Sequence, residues 1–332
     1  MSTISQVARE AGYSPATVSR YLNNRIELPA STALRIDSAV ARLGYRPNLL
    51  ARRLSMGRTE TVGLVAPEIA NPFFAELAAT IEDEAERHGY SVLMSSTRGL
   101  RERELTSLRR LEDRHVDGLI MMTNQPDDGT LAENVGTHAN VVLVDEDVPG
   151  VAVPKVFVEN EFGAYHATRH LIEVGHTQIA HIGGPGNLMS GGERLDGFRR
   201  AHLECGLDPA SPRVLLGTYS REFGATAIGE LLLDANRPTA VFCGSDFIAI
   251  GVMQRVRELG LAVPGDLSIV GFDDMPFAEL LAPALTTVRQ PIETLGRKAF
   301  NTLFALINKQ ETVAEVRLPV ELVERQSVAW RR

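Results

Sequence analysis

The chain has 332 residues, of which 23% are charged, 44% hydrophobic and 6% aromatic. This is the composition of an ordinary soluble globular protein with room for about two or three domains, and it excludes disordered, collagen-like and disulfide-rich classes. The net charge of −8, taken alone, argues against a nucleic-acid partner, because phosphates attract Lys and Arg.

The charge is unevenly distributed along the chain. Residues 1–58 contain nine arginines, no lysine and three acids, which gives this segment a net charge of +6. Because the whole chain carries −8, the remainder carries −14. A basic segment joined to an acidic remainder indicates that one part contacts an anion and that the other has a different task.

Cysteines and apolar runs bear on the compartment. Cys205 and Cys243 lie far apart in sequence, which predicts neither a metal site nor a disulfide framework, and we expect reduced thiols in a cytoplasmic protein. The N-terminus lacks a basic stretch followed by an apolar core, and no run approaches about 18 apolar residues. We therefore expect neither a signal peptide nor a membrane span.

Two short helices are predicted at the N-terminus. Thr3 and Gln6 form a capping-box pattern for the first helix, which should end at Gly12. Ser14 is a good N-cap and Pro15 a good first residue for the second helix. Two short helices joined at a glycine predict a helix-turn-helix.

The second helix of this pair has two different faces. Val18, Tyr21 and Leu22 should pack inward, because they are spaced at i, i+3 and i+4. Small residues on the other face would let the backbone enter a major groove, and Arg20 would contact a guanine edge or a phosphate. A solvated helix face explains the same pattern equally well. The residues left on this outer face are Ala16, Thr17, Arg20 and Asn23.

A third helix and a basic stretch follow. The third helix is predicted over Ser31–Leu43, with Gly44 as its end. The stretch Asn48–Ser55, opened by Pro47, is too short to be a stable isolated helix. A DNA minor groove would order it, with Leu54 as an apolar wedge between base pairs; the alternative is that Leu54 belongs to a small core.

These segments resemble a known family. TISQVAREAGYSPATVSRYLN (Thr3 to Asn23) and LGYRPNLLARRL (Leu43 to Leu54) are similar to the head and hinge helix of the LacI/GalR family of bacterial transcriptional regulators, and the resemblance extends over nearly the whole chain. It implies that Pro15, Ala16 and Arg20 read operator bases and that Leu54 intercalates. The predicted DNA-binding residues are Thr3, Ser14, Pro15, Ala16, Thr17, Ser19, Arg20, Asn23, Tyr45, Asn48, Ala51 and Leu54.

Beyond residue 60, short apolar runs alternate with amphipathic stretches, a pattern typical of parallel α/β architecture. The pattern occurs twice, which predicts two similar lobes, and the chain should cross between them near 157–160, 287–290 and 320–324. The predicted domains are a helix-turn-helix head (1–46), a hinge helix and linker (47–59), and an effector-binding and dimerisation domain (60–332). Its lobe 1 covers about 60–158 and 290–320, and its lobe 2 covers about 159–289 and 321–332.

Candidate ligand contacts follow the predicted strands, since ligands of open α/β sheets bind beyond the carboxyl ends of the strands. Aromatic rings and carboxylates suit a polar ring compound, and Arg194 would add a donor. Taken singly, each residue has another explanation: Asn71 and Asp246 fit helix caps, and Phe73 or Phe74 fits a core. The residues after the strands are Asn71, Phe73, Phe74, Asp145, Tyr219, Ser245, Asp246, Asp273 and Asp274.

The family resemblance continues here. NPFFAE, ERLDGF, SDFIAIG, VPGDLSIVGFDD and LTTVRQP are similar to its effector-domain motifs, which implies an α/β, two-lobed, periplasmic-binding-protein-like domain with parallel sheets behind a small all-α head. Leu188 stands where the family's purine-binding member has an arginine, which disfavours a purine effector. The predicted effector-binding residues are Phe73, Phe74, Asp145, Arg194, Tyr219, Ser245, Asp246 and Asp273, with Ile292 at the pocket edge.

Signs of catalysis are weak. The loop 183–186 fits neither a dinucleotide fingerprint nor a P-loop, and His166 and His170 lack a third metal ligand. No G-x-S-x-G elbow is present. We therefore predict no enzyme activity, no metal and no cofactor, with a solute-binding protein or a sugar-active enzyme on the same frame as alternatives.

The resulting prediction is a sequence-specific DNA-binding regulator, most simply a repressor, controlled by a small effector such as a sugar or sugar derivative. Its partners would be double-stranded, pseudo-palindromic operator DNA and a second copy of the chain. Because the chain stops at Trp330 to Arg332 without a heptad tail, we expect a homodimer and no tetramer formed by a terminal coiled coil. Either an inducer or a corepressor fits the sequence.

Overall fold

A computed structural model describes residues 2–23, 26–45, 57–208, 213–234 and 236–331. The chain divides into two compact units, Met1–Glu60 (the head) and Thr61–Arg332 (the body). Each unit has hydrophobic clusters of its own.

The head contains three described helices, α1 (Ile4–Ala11), α2 (Pro15–Leu22) and α3 (Ala30–Leu43). Thr3 accepts a hydrogen bond from the N–H of Gln6 in a complete capping box, and Ser14 accepts one from the N–H of Thr17. Gly12 ends α1 in the left-handed conformation, where a residue without a Cβ is favoured. The buried side chains of this core are Val7, Ala8, Ala11, Val18, Ile36 and Ala39.

The described part of the body contains two six-stranded sheets. The strands are β1 (Thr61–Ala66), β2 (Ser91–Ser96), β3 (Gly118–Met121), β4 (Val141–Val144), β5 (Lys155–Val158), β6 (Ile179–Gly183), β7 (Val214–Leu216), β8 (Ala240–Cys243), β9 (Ser268–Asp273), β10 (Thr286–Arg289), β11 (Glu315–Leu318) and β12 (Glu321–Val323). Their orders are β11-β5-β4-β3-β1-β2 in the first lobe and β12-β10-β9-β8-β6-β7 in the second.

Helices pack around both sheets. They are α4 (Pro72–Arg87), α5 (Arg101–Glu112), α6 (Thr130–Val135), α7 (Asn160–Glu173), α8 (Met189–Glu204), α9 (Arg221–Leu232), α10 (Asp246–Glu258) and α11 (Ile292–Ile307), with a 3₁₀ turn at Ala278–Leu280. The predicted α/β class is confirmed. One pairing differs from the expectation of parallel sheets: β12 runs antiparallel to β10. The chain enters the second lobe directly from β11, with no helix between the two strands.

The chain passes from one lobe to the other at residues 159, 290–291 and 319–320. At each of these points, one element packs in one lobe and the next element packs in the other. After β10 leaves the second lobe, α11 packs into the core of the first through Leu295, Phe300 and Leu303. Three crossings tie the lobes together at one side and leave a cleft between the carboxyl ends of their strands.

Candidate functional site

The outer face of α2 is accessible. Pro15, Ala16 and Arg20 are exposed, and Val18 on the opposite face is fully buried. Ser14 and Thr3 have structural roles as helix caps, and the Asn23 amide donates to the carbonyl of Ser19 at 2.8 Å. No described acidic side chain pairs with Arg20.

Tyr45 is half-buried and packs against the core of the head. The predicted contacts Asn48, Ala51 and Leu54 lie outside the described residues, as does most of the predicted hinge, and they stay predictions.

The body holds a cleft of about 180 Å³ between the lobes. Carboxyl, amide and aromatic side chains converge on it from the ends of strands in both sheets. Its lining residues are Glu68, Ala70, Asn71, Phe73, Phe74, Asn124, Asp145, Ser190, Arg194, Tyr219, Ser245, Phe247, Asp273 and Gln290.

Arg194, on the first turns of α8, is the cation of this cleft within the described residues. Its Nε donates to Oδ1 of Asn160 at 2.9 Å, and one terminal nitrogen donates to the carbonyl of Gly244 at 2.6 Å. The guanidinium carbon lies 3.8 Å from the ring centroid of Phe272, and the same terminal nitrogen is 4.0 Å from Oδ1 of Asp273. Packing and hydrogen bonds therefore fix this side chain before any ligand binds.

Asp145 and Asp273 bring carboxyl groups from opposite lobes. Burial raises the pKa of Asp145 to about 7 and that of Asp273 to about 6, although the positive charge of Arg194 opposes both shifts. Asp273 accepts a hydrogen bond from Nε2 of Gln290 at 2.7 Å. Two carboxyls held near one guanidinium form a cluster suited to ligand hydroxyls.

Ser190 connects the two lobes at the wall of the cleft. Its hydroxyl donates to Glu146 of the first lobe at 2.6 Å and lies 3.0 Å from the hydroxyl of Tyr219 in the second. The N–H of Ser190 also donates to Glu146. Burial raises the pKa of Glu146 to about 7, so protonation of this carboxyl would weaken an interlobe contact.

Seven of the eight predicted effector-binding residues line the cleft, and Asp246 does not. Its carboxylate is fully buried and accepts from the N–H of Met275 at 2.8 Å and from the hydroxyl of Thr287 at 2.6 Å. Ser245 is the N-cap of α10 and accepts from the N–H of Ile248. Protein donors thus occupy both oxygens of Asp246, and its predicted ligand contact stays a prediction.

The structure adds lining residues that the sequence prediction did not include. Gln290 sits at the second crossing between the lobes, and Ser190 lies on the first turn of α8. Asn124 follows β3. The apolar run of this strand could have pointed to Asn124, because the other candidate contacts were found as residues that follow predicted strands. The lining residues that the sequence analysis did not name are Glu68, Ala70, Asn124, Ser190, Phe247 and Gln290.

Two further residues named from the sequence, Leu188 and Ile292, are not among the lining residues. Leu188 is buried ahead of α8, and Ile292 packs against the first-lobe core.

The glycine-rich loop and the histidines show no metal site in the part of the chain that the structure describes. The ring of Tyr219 lies directly against Gly184, so it fills the space beside the glycine-rich loop. His166 contacts the ring of Phe162, and no metal-binding group of side chains occurs within the described residues.

Two family models match the chain. The model of bacterial regulatory proteins of the lacI family matches residues 3–48, and that of a periplasmic binding protein-like domain matches residues 168–328. The HTH-type transcriptional repressor PurR of Proteus mirabilis (strain HI4320) is 36% identical over 332 residues, which cover 99% of this chain and 97% of that protein. The chain belongs to the LacI family.

Solved structures extend this family likeness to the fold. The Lac repressor dimer bound to operator and the anti-inducer ONPF has a TM-score of 0.87 and 29% identity, covering 99% of each chain. The transcriptional regulator CelR in complex with cellobiose has a TM-score of 0.76 and 31% identity, covering 98% of this chain and 100% of that one. This LacI-family chain is thus a transcriptional regulator. Within its described residues, no helix is long and apolar enough to span a membrane.

Proposed function

We propose that the chain is a transcriptional repressor that binds a pseudo-palindromic operator as a homodimer. A small effector, a sugar or sugar derivative, binds in the cleft of the body and changes the operator affinity of the head. In this proposal the protein acts by binding DNA and the effector, without catalysing a reaction. We also propose that it is located in the cytoplasm.

The cleft is the observation that carries this proposal. Arg194 and Asp273 of the second lobe face Asp145 of the first, so one small polar ligand can touch both lobes at once. A ligand of this kind shifts the equilibrium between lobe arrangements by its difference in affinity for them. Two-lobed binding domains close around ligands in this way.

The head supports the DNA-binding half of the proposal. Pro15, Ala16 and Arg20 stand exposed on the second helix of a helix-turn-helix, the helix that enters a major groove in this motif. In our proposal these residues read bases, with Thr17, Ser19 and Asn23 beside them. The segment 47–59 is the proposed hinge, with Leu54 as a minor-groove wedge.

The relatives support two parts of the proposal, the sugar effector and the homodimer. The Lac repressor structure is a dimer on its operator, and the CelR structure holds cellobiose. A dimer presents two heads to two half-sites, which matches a pseudo-palindrome.

The test is DNA binding by the full chain, measured by fluorescence anisotropy on duplexes from its own promoter region. We expect saturable binding whose affinity falls with salt, and loss of sequence preference in Arg20→Ala worth about 1–3 kcal/mol. Arg109→Ala, an exposed arginine of the body, serves as the matched control. Absence of binding to any such duplex at low salt, or equal sequence preference in Arg20→Ala, would contradict the assignment.

A further inference from the structure

We infer that the effector is a compact, uncharged, hydroxyl-rich ring of monosaccharide size, and that phosphorylated and carboxylated sugars are excluded from the cleft. This inference rests on the proposed function, since it takes the cleft as the effector site. It rests on the balance between hydrogen-bond acceptors and donors that the cleft offers.

The acceptor side of this balance is large and has unused capacity. Gln290 is only 3% exposed, and because its Nε2 donates to Asp273, its Oε1 must face away as an acceptor. That Oε1 is buried and receives no hydrogen bond from any described group, and the same holds for Oδ1 of Asn124. A buried acceptor without a donor is unfavourable. A ligand O–H or N–H would donate the hydrogen bond that each of these two oxygens lacks.

The net charge of the lining is negative. Among the described lining residues, Glu68, Asp145 and Asp273 are acidic and Arg194 alone is cationic. Two of the nitrogens of Arg194 already donate to Asn160 and to the carbonyl of Gly244. A phosphate or carboxylate in the cleft would therefore face acids from both lobes and a guanidinium that is partly used.

The helix N-termini at the cleft are partly capped by side chains of the protein. Free N–H groups at such ends are a common means of binding phosphates. Here α4, α8 and α10 begin at the cleft, yet a first-turn N–H of each already donates to a protein side chain: Phe73 to Asn71, Ser190 to Glu146, and Ile248 to Ser245. At each of these helix ends, one of the donors that could bind an anionic ligand is therefore already used by a protein side chain.

The apolar walls and the volume favour a single small ring. Phe73 and Phe74 from the first lobe and Tyr219 and Phe247 from the second line the cleft, and aromatic faces suit the C–H face of a sugar. A volume of about 180 Å³ lies below the roughly 300–1,000 Å³ of sites for drug-sized ligands.

The experiment is titration calorimetry on the full chain at pH 7.5 with matched probes. Each set contains a neutral pentose, hexose or cyclic polyol, its phosphate ester and its aldonic or uronic acid. We expect binding in the neutral arm only, with each anionic partner of a binder weaker by at least about a hundredfold. Equal or tighter binding of an anionic partner overturns the inference and leaves the cleft as the effector site. If no probe of any arm binds, the sugar-effector function itself fails together with this inference.

A variant pair tests whether Gln290 supplies the acceptor. Gln290→Ala should weaken the neutral binder by about tenfold, whereas Gln254→Ala, the same change on an exposed helix position, should leave its affinity within about twofold. Melting curves of both variants verify folding. An unchanged affinity in a folded Gln290→Ala protein contradicts the role of this oxygen.

Discussion

Asp145 and Asp273 adopt backbone conformations that side-chain-bearing residues rarely take, with φ values of 69° and 118°. Such conformations cost about 1–3 kcal/mol each and persist where the surrounding structure imposes them, often at functional sites. Both residues stand at the carboxyl ends of strands and direct acids into the cleft. Their backbone geometry agrees with a role in ligand binding and has no equivalent in the sequence pattern.

Effector affinity should depend on pH through these two acids. Hydroxyl donors favour the ionised carboxylates, whose pKa values burial raises to about 7 for Asp145 and about 6 for Asp273. Affinity should therefore rise between pH 5.5 and 8, and binding near pH 6.5 should release protons. Calorimetry in buffers of different ionisation enthalpy measures both effects; an affinity that falls across this range would contradict the proposed hydrogen bonds.

A buried histidine should make stability pH-dependent. His181 is stacked between Phe198 and Phe242, and burial lowers its pKa to about 4. Because the unfolded chain binds this proton near pH 6.5 and the folded chain does not, the stability contribution is complete above pH 6.5 and is lost as the pH falls towards 4. The full linkage amounts to about 3 kcal/mol.

Urea unfolding at several pH values tests this effect. His181→Gln should reduce the slope of stability between pH 6.5 and 4.5, while His115→Gln, at an exposed position, should preserve it. Identical slopes in the wild type and His181→Gln would show that His181 is not responsible.

At the scale of elements, the sequence was informative where the pattern was periodic or capped. The sequence favours Thr3, Ser14 and Asn71 as helix caps, and each accepts the expected backbone hydrogen bond. The antiparallel direction of β12 was not predictable, because strand direction depends on how distant segments pair. Ser190 and Gln290 were not predictable as lining residues either, because their position at the cleft depends on how the chain crosses between the lobes.

Helices α9 and α10 pack through glycines, and this close approach is testable. A Cβ on Gly251 would overlap the carbonyl of Arg221, whereas one on Gly229 would meet the side chain of Arg255, with Nε at 3.4 Å and Cγ at 4.0 Å. Gly251→Ala should therefore destabilise the body by more than about 2 kcal/mol. Gly229→Ala should be neutral or stabilise it by up to about 1 kcal/mol. Denaturant midpoints with unchanged slopes measure both, and equal effects of the two variants would contradict this packing.

At the scale of the whole molecule, the net charge of −8 is the sum of a basic N-terminal segment and an acidic remainder, to which we assign different functions. The arginine-rich N-terminal segment fits the proposed DNA contact, and the acidic remainder holds the cleft. Family motifs indicated both tasks from sequence alone. The ligand class needed the structure, because it depends on which acceptors and donors already have partners.

Self-association should involve the exposed apolar edge of the first lobe. Leu93 and Met94 on the edge strand β2 are 39% and 38% exposed, and exposed apolar patches mark interaction sites. We expect a dimer in sedimentation equilibrium at micromolar concentration and dissociation in Met94→Lys. A variant that stays fully dimeric would place the interface elsewhere on the body.

The most direct test of the central claim is the operator affinity of the full chain with and without a saturating effector found by the calorimetric screen. We predict at least about a fivefold change in the wild type. In Asp273→Ala the change should disappear while the effector-free operator affinity is retained. An operator affinity that the bound effector leaves unchanged in the wild type would contradict the account.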